Sequence, residues 1–78
     1  MANIYEFSIA PVNRPRTNIQ EGSLDDAVSE LCYNIREVYD TQASEAICEA
    51  METLTEETTN YWSREFDGLV YSIVEKRN

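Results

Sequence analysis

The 78-residue sequence contains no histidine, two glycines, two prolines and two cysteines. Each shortage excludes a kind of chemistry. Without histidine there is no Ser-His-Asp or Cys-His catalysis. Cys32 and Cys48 do not form a CxxC pair, and no imidazole is present to complete a zinc site with them. Two glycines cannot build a Walker loop or a dinucleotide-binding turn. No segment alternates oxygen ligands about a central glycine, as a calcium loop does. No run approaches the roughly 20 apolar residues of a membrane-spanning helix, and no charged n-region with an apolar h-region marks a signal peptide. Basic residues are also scarce, with six Lys and Arg against fifteen Asp and Glu. None falls between Glu37 and Ser63, a window that holds seven acids.

These absences predict a chain that is not an enzyme and uses no cofactor and no metal. Carboxylate pairs could act as acid and base, but only in a cleft that raises one pKa. Glutamates on an exposed helix lack such a cleft, and one helix face offers too few converging oxygens for a divalent cation. The length fits one small domain, residues 1–78, with one modest core. The net charge of −9 disfavours direct contact with nucleic-acid backbones or anionic membranes, and favours basic partners. The two cysteines sit among apolar residues and are expected to be buried, reduced thiols, which suits a cytoplasmic protein.

Residues 3–10 alternate Tyr5, Phe7 and Ile9 with Glu6 and Ser8, the period of a strand. Residues 11–22 carry Pro11, Pro15 and Gly22 and read as a loop. Ser23 with Asp26 resembles a capping box, and Leu24, Val28, Leu31, Ile35 and Val38 then recur at helical spacing, giving a helix over about 24–39. A second helix is expected over about 42–57, capped by Thr41, with Ala43, Ile47, Ala50, Met51 and Leu54 on its apolar face. One long helix is the alternative. Its apolar face would jump by roughly 130° between the segments at about 100° per residue, so a turn near residues 40–42 is preferred.

Asp67-Gly68 lies between β-prone residues and signals a type I′ hairpin. That register pairs Phe66 with Leu69, Arg64 with Tyr71, and Trp62 with Ile73, all on one face. A helix running to Phe66 and stopped by Gly68 is the competing reading for residues 58–66. The predicted fold is α+β, in the order β-α-α-β-β: a three-stranded antiparallel sheet with a helix pair on one face.

Opposite the apolar faces lie two acidic stripes. Asp26, Glu30, Tyr33, Glu37 and Asp40 form the first; Glu45, Glu49, Glu52 and Glu56 form the second. Like charges one turn apart repel, and exposed faces ordinarily mix signs. Two parallel carboxylate rows, with neighbours about 5–6 Å apart within a row, would match the scale of phosphates along a DNA strand. A groove lined by Lys and Arg attracts phosphate largely without regard to sequence, and carboxylates can compete for the same cations. These nine residues are the candidate partner-binding surface.

A small, strongly acidic single domain without catalytic residues, whose acids form the stripes Asp26-Glu30-Glu37-Asp40 and Glu45-Glu49-Glu52-Glu56, resembles phage-encoded counter-defence proteins. Anti-CRISPR proteins and antirestriction DNA mimics are similar in size and charge. The resemblance rests on overall character; no family signature motif is matched, and no family's functional residues are carried over. It implies an inhibitor that occupies the nucleic-acid site of a bacterial defence complex, such as a CRISPR effector, in the host-cell cytosol. An adaptor that binds a protein partner, or itself as a homodimer, through Tyr33 or an open sheet edge is the alternative. Salt discriminates between them, since an electrostatic partner is lost as salt rises and an apolar one is not.

Overall fold

A computed structural model describes residues 3–76. Strands β1 (Tyr5–Pro11) and β2 (Gln20–Gly22) are followed by helices α1 (Leu24–Val38) and α2 (Gln42–Glu52), then by strands β3 (Tyr61–Phe66) and β4 (Leu69–Glu75). The class is the expected α+β. The sheet is antiparallel with the order β2-β1-β4-β3, so it has four strands where three are expected. The extra strand comes from the segment read as a loop. Asn13 and Asn18 adopt positive φ, which asparagine tolerates. They let the chain fold back and set Gln20–Gly22 against the open side of β1, Gly22 opposite Tyr5.

Pro11 belongs to β1 despite lacking an N–H. Val12 N donates to Gly68 O at 2.9 Å and Lys76 N to Ile4 O at 2.8 Å. The residues of β1 bonded to β4 are therefore even-numbered, and Pro11 turns its missing donor away from that ladder.

Both helices begin with complete capping boxes. Ser23 Oγ accepts from Asp26 N while Asp26 Oδ2 accepts from Ser23 N, and Thr41 and Ser44 reciprocate in the same way. Tyr39 and Thr41 are extended, with φ of −123° and −127°, so the chain makes two helices and not one. α2 ends at Glu52, five residues short of the expected 57. Thr53 Oγ1 donates to Ala50 O, and a turn follows in which Thr59 N donates to Thr55 O. That turn delivers the Thr59 carbonyl to the buried Tyr5 hydroxyl at 2.8 Å. Tertiary contact thus sets an end that no glycine or proline marks.

The apolar faces are rotated slightly from the expected ones. Val38 is 72% exposed and Ala43 is exposed, while Ala27, Cys32, Ser44 and Cys48 are buried. Ser44 tolerates burial because its hydroxyl donates to Thr41 O at 2.8 Å. The core lies between helices and sheet, with Tyr5, Ile35, Cys48, Met51 and Ile73 fully enclosed. α1 packs on β1 and β2, so α2 beside it lies towards β4 and β3.

The hairpin has the predicted register, Phe66 opposite Leu69 through Trp62 opposite Ile73. Asp67 and Gly68 have φ of 55° and 77°, the type I′ geometry that excludes the helical alternative. The Tyr39 hydroxyl donates to the Asp67 carboxylate, and the Tyr39 ring stands edge-on to Phe66 with centroids 4.7 Å apart. That bond raises the Tyr39 pKa to about 12. A Cβ placed at Gly68 would meet no atom beyond its chain neighbours within 4 Å, so the cost of a substitution there comes chiefly from the positive φ. Gly68→Val should cost about 1–2 kcal/mol, seen as a lower urea midpoint at unchanged m-value; a wild-type midpoint would contradict the turn.

Candidate functional site

Residues 23–58, which form both helices and their links, contain ten acids and one base, Arg36; the rest of the chain contains five of each. Eight of those acids lie with Arg36 on the helices and the link between them, residues 24–52, a net charge of −7; Glu56 and Glu57 lie beyond α2 and line a pocket with Asn60 and Glu75 at the strand ends. This partition follows from how the elements are built. The helices alternate an apolar face with a solvent face every 3–4 residues, and the solvent positions are filled with acids. The sheet segments balance Glu6 with Arg16 at 3.9 Å and Glu21 with Lys76 at 3.0 Å.

The nine candidate residues do not form two matching rows. Asp26 closes the α1 capping box, so its carboxylate serves the helix terminus, where the dipole favours negative charge. Glu30 lies on the flank of α1 towards β1 and β2, beside a shallow groove that includes Phe7, Gln20 and Asn34. Tyr33 is 60% exposed, and the nearby Glu37 carboxylate raises the phenol's pKa. Asp40 is exposed in the link between the helices. Glu56 is off α2 altogether and accepts from the Asn3 backbone N–H at 3.2 Å, which corrects the four-member stripe to Glu45, Glu49 and Glu52.

Arg36 changes that stripe further. Its Nη2 lies 2.6 Å from Glu45 Oε1 and 3.3 Å from Glu52 Oε1, and its Nε donates to Glu45 Oε1 at 3.2 Å. One guanidinium reaching over from α1 thus clasps two carboxylates of α2, while Glu49 stays exposed between them. Glu45 is held below the usual carboxylate range by the Arg36 hydrogen bond, and Arg36 in turn is held charged more firmly. The clasp relieves repulsion at the helix interface and leaves Glu30, Glu37, Asp40 and Glu49 as the candidate acids whose carboxylates neither cap a helix nor bond to Arg36 or Asn3. Sequence reading missed it because the base-free window opens at Glu37, one residue past Arg36. The usable signal was the helical wheel: Arg36 is one turn from Cys32, on the flank that faces α2.

Beneath the clasp, Val28, Ser29, Cys32, Tyr33, Arg36 and Glu52 line an open groove of about 320 Å³. Cys32 Sγ donates to Cys48 O at 3.8 Å, and both thiols are free and buried. Burial raises the Cys32 pKa to about 12 and moves Cys48 in the same direction, so neither is a nucleophile at neutral pH. Among the described residues, no three His, Cys, Asp or Glu side chains are grouped to hold a metal ion, and no helix is long and apolar enough to cross a membrane. The arrangement gathers exposed carboxylates on the solvent face of the helices. Compared with protein-family models, with curated proteins and with solved structures, the chain matches none.

The clasp predicts a titration. A folded pKa below the unfolded value stabilises at neutral pH, and the contribution is lost as pH falls through the folded value. Carbon-detected NMR should place the Glu45 midpoint below that of ordinary glutamates, and Arg36→Gln should move it up. An unchanged midpoint would remove the clasp. Neither cysteine should react with DTNB at pH 8 in the native protein, and both should react in guanidinium; rapid native reaction would contradict their burial.

Proposed function

We propose that this chain is a non-enzymatic inhibitor that presents the outer face of its helix pair to the basic, nucleic-acid-binding surface of a bacterial defence complex, such as a CRISPR effector. The observation that carries the reading is the charge partition, with seven net negative charges on the helices and the link between them, residues 24–52, and two on the rest of the chain. A molecule polarised in this way is oriented by a basic groove before contact, which raises the association rate. The acids that engage it are Glu30, Glu37, Asp40 and Glu49, with Tyr33 as an exposed aromatic among them. Glu45 and Glu52 add charge through a shared guanidinium. Asp26 and Glu56 serve mainly the fold. The target class follows from the resemblance to phage counter-defence proteins, and it implies action in the host-cell cytosol.

The polyelectrolyte character of such a groove gives the interaction a salt dependence. Its phosphate affinity rests on cations that any dense array of carboxylates can also satisfy. The test variant leaves the cap and the clasp intact: Glu30→Lys, Glu37→Lys and Glu49→Lys together. It should fold as the wild type does, because all three positions are exposed and the changes relieve repulsion.

Guide-loaded effector complexes can be challenged with the protein in competition with a fluorescent DNA duplex. The wild type should displace the duplex at low salt, and weaken about tenfold or more between 50 and 200 mM salt. The triple variant should lose displacement by a similar factor or more. A folded triple variant that displaces like wild type would sink the proposal.

A further inference from the structure

We infer that the chain forms a two-fold dimer in which β3 pairs antiparallel with β3 of a second copy, Ser63 opposite Ser63. The inference starts from the sheet's edges. β2 spans only Gln20–Gly22, whereas β3 spans six residues without proline, lysine or bulge, and among the described residues it has a strand on one side only. Proteins usually blunt such an edge.

The backbone pattern identifies which groups are available. Glu75 N donates to Asn60 O at 2.9 Å. Antiparallel pairs alternate between bonded and non-bonded, so Trp62, Arg64 and Phe66 turn their backbone groups to β4. Tyr61, Ser63 and Glu65 turn theirs outwards. A two-fold axis through Ser63 sets Tyr61 opposite Glu65 of the second copy, and Glu65 opposite its Tyr61. Those pairs and Ser63–Ser63 are the ones whose backbone groups point out, so every free donor and acceptor of the three residues is used.

Side chains select the same register. Trp62 falls opposite Arg64 of the second copy in a non-bonded pair, the closer of the two spacings. Within the chain the Arg64 guanidinium already lies over the Trp62 ring, 5.8 Å from its centroid, so the exchange is between groups that attract. Shifting the register by two residues one way places Arg64 against Arg64; the other way leaves only three residue pairs and abuts Trp62 with Trp62.

Charge permits the approach. β3 itself carries one acid and one base, Glu65 and Arg64. The flank of α2 away from the Arg36 clasp, which lies towards β3, carries Ala43, Ala46 and Ala50 on the helical wheel, so no carboxylate of α2 stands in the way. The dimer would have one continuous eight-stranded sheet, with both helix pairs on the same side.

This pairing does not depend on what the acidic layer binds, and salt separates the two. Binding to a basic groove weakens with salt, whereas the dimer joins two chains of like net charge and holds or tightens as salt rises.

Sedimentation equilibrium of the full chain from 10 µM to 1 mM is the test. The expected result is a dimer at the upper concentrations. Ser63→Pro, which deletes an outward N–H and no bond to β4, should be monomeric. Tyr61→Glu should weaken association at least tenfold by opposing Glu65, and Tyr61→Glu with Glu65→Lys should restore it, because the new charges then face each other across the axis. A monomeric wild type at 1 mM, a dimeric Ser63→Pro, or no rescue by the double variant would each overturn the inference.

Discussion

Between Leu24 and Glu52, eight carboxylates share the helical layer with a single guanidinium. Like-charged neighbours one helical turn apart each cost a few tenths of a kcal/mol. That repulsion is opposed from below. Ile35 and Met51 are fully buried, and each such side chain contributes about 1.5–3 kcal/mol. A few buried residues per helix therefore outweigh the surface cost. Two complete capping boxes satisfy the helix starts, and Arg36 stands where the two helices bring their acids together. The fold keeps its charge on one side because the cost there is small and distributed.

Two phenol hydroxyls fasten the helical segments to the sheet. Tyr5, on β1, donates to the Thr59 carbonyl and fixes where the chain leaves α2. Tyr39, at the end of α1, donates to Asp67 in the hairpin turn. These bonds tie the turns at the helix ends to the sheet, so the acidic layer is held at a defined orientation over it. The proposed binding to a row of cations would gain from this, because less ordering remains to be done on binding.

The strands of the hairpin were legible because their signal is local. Asp67-Gly68 demands a particular turn, and the turn sets the register. The caps Ser23 and Thr41 were legible for the same reason. β2 was not, because Gln20-Glu21-Gly22 has no strand character of its own and is recruited by the open side of β1. The end of α2 was hidden too, since it depends on Thr59 reaching Tyr5, more than fifty residues away. In the candidate site, the positions of the acids could be read and their partners could not. Asp26 and Glu56 became structural, and Glu45 and Glu52 became paired, through contacts that require the relative rotation of two helices and the path of a turn.

The central claim is that the negative charge of the molecule concentrates on the solvent face of the helix pair. Titrating isotope-labelled protein with a short oligolysine peptide, followed by amide chemical shifts, measures this directly. Shifts should concentrate at Glu30, Tyr33, Glu37, Asp40 and Glu49, vanish in high salt, and leave β3 and β4 unmoved. Equal shifts on the strands and the helices, or none at all, would contradict it.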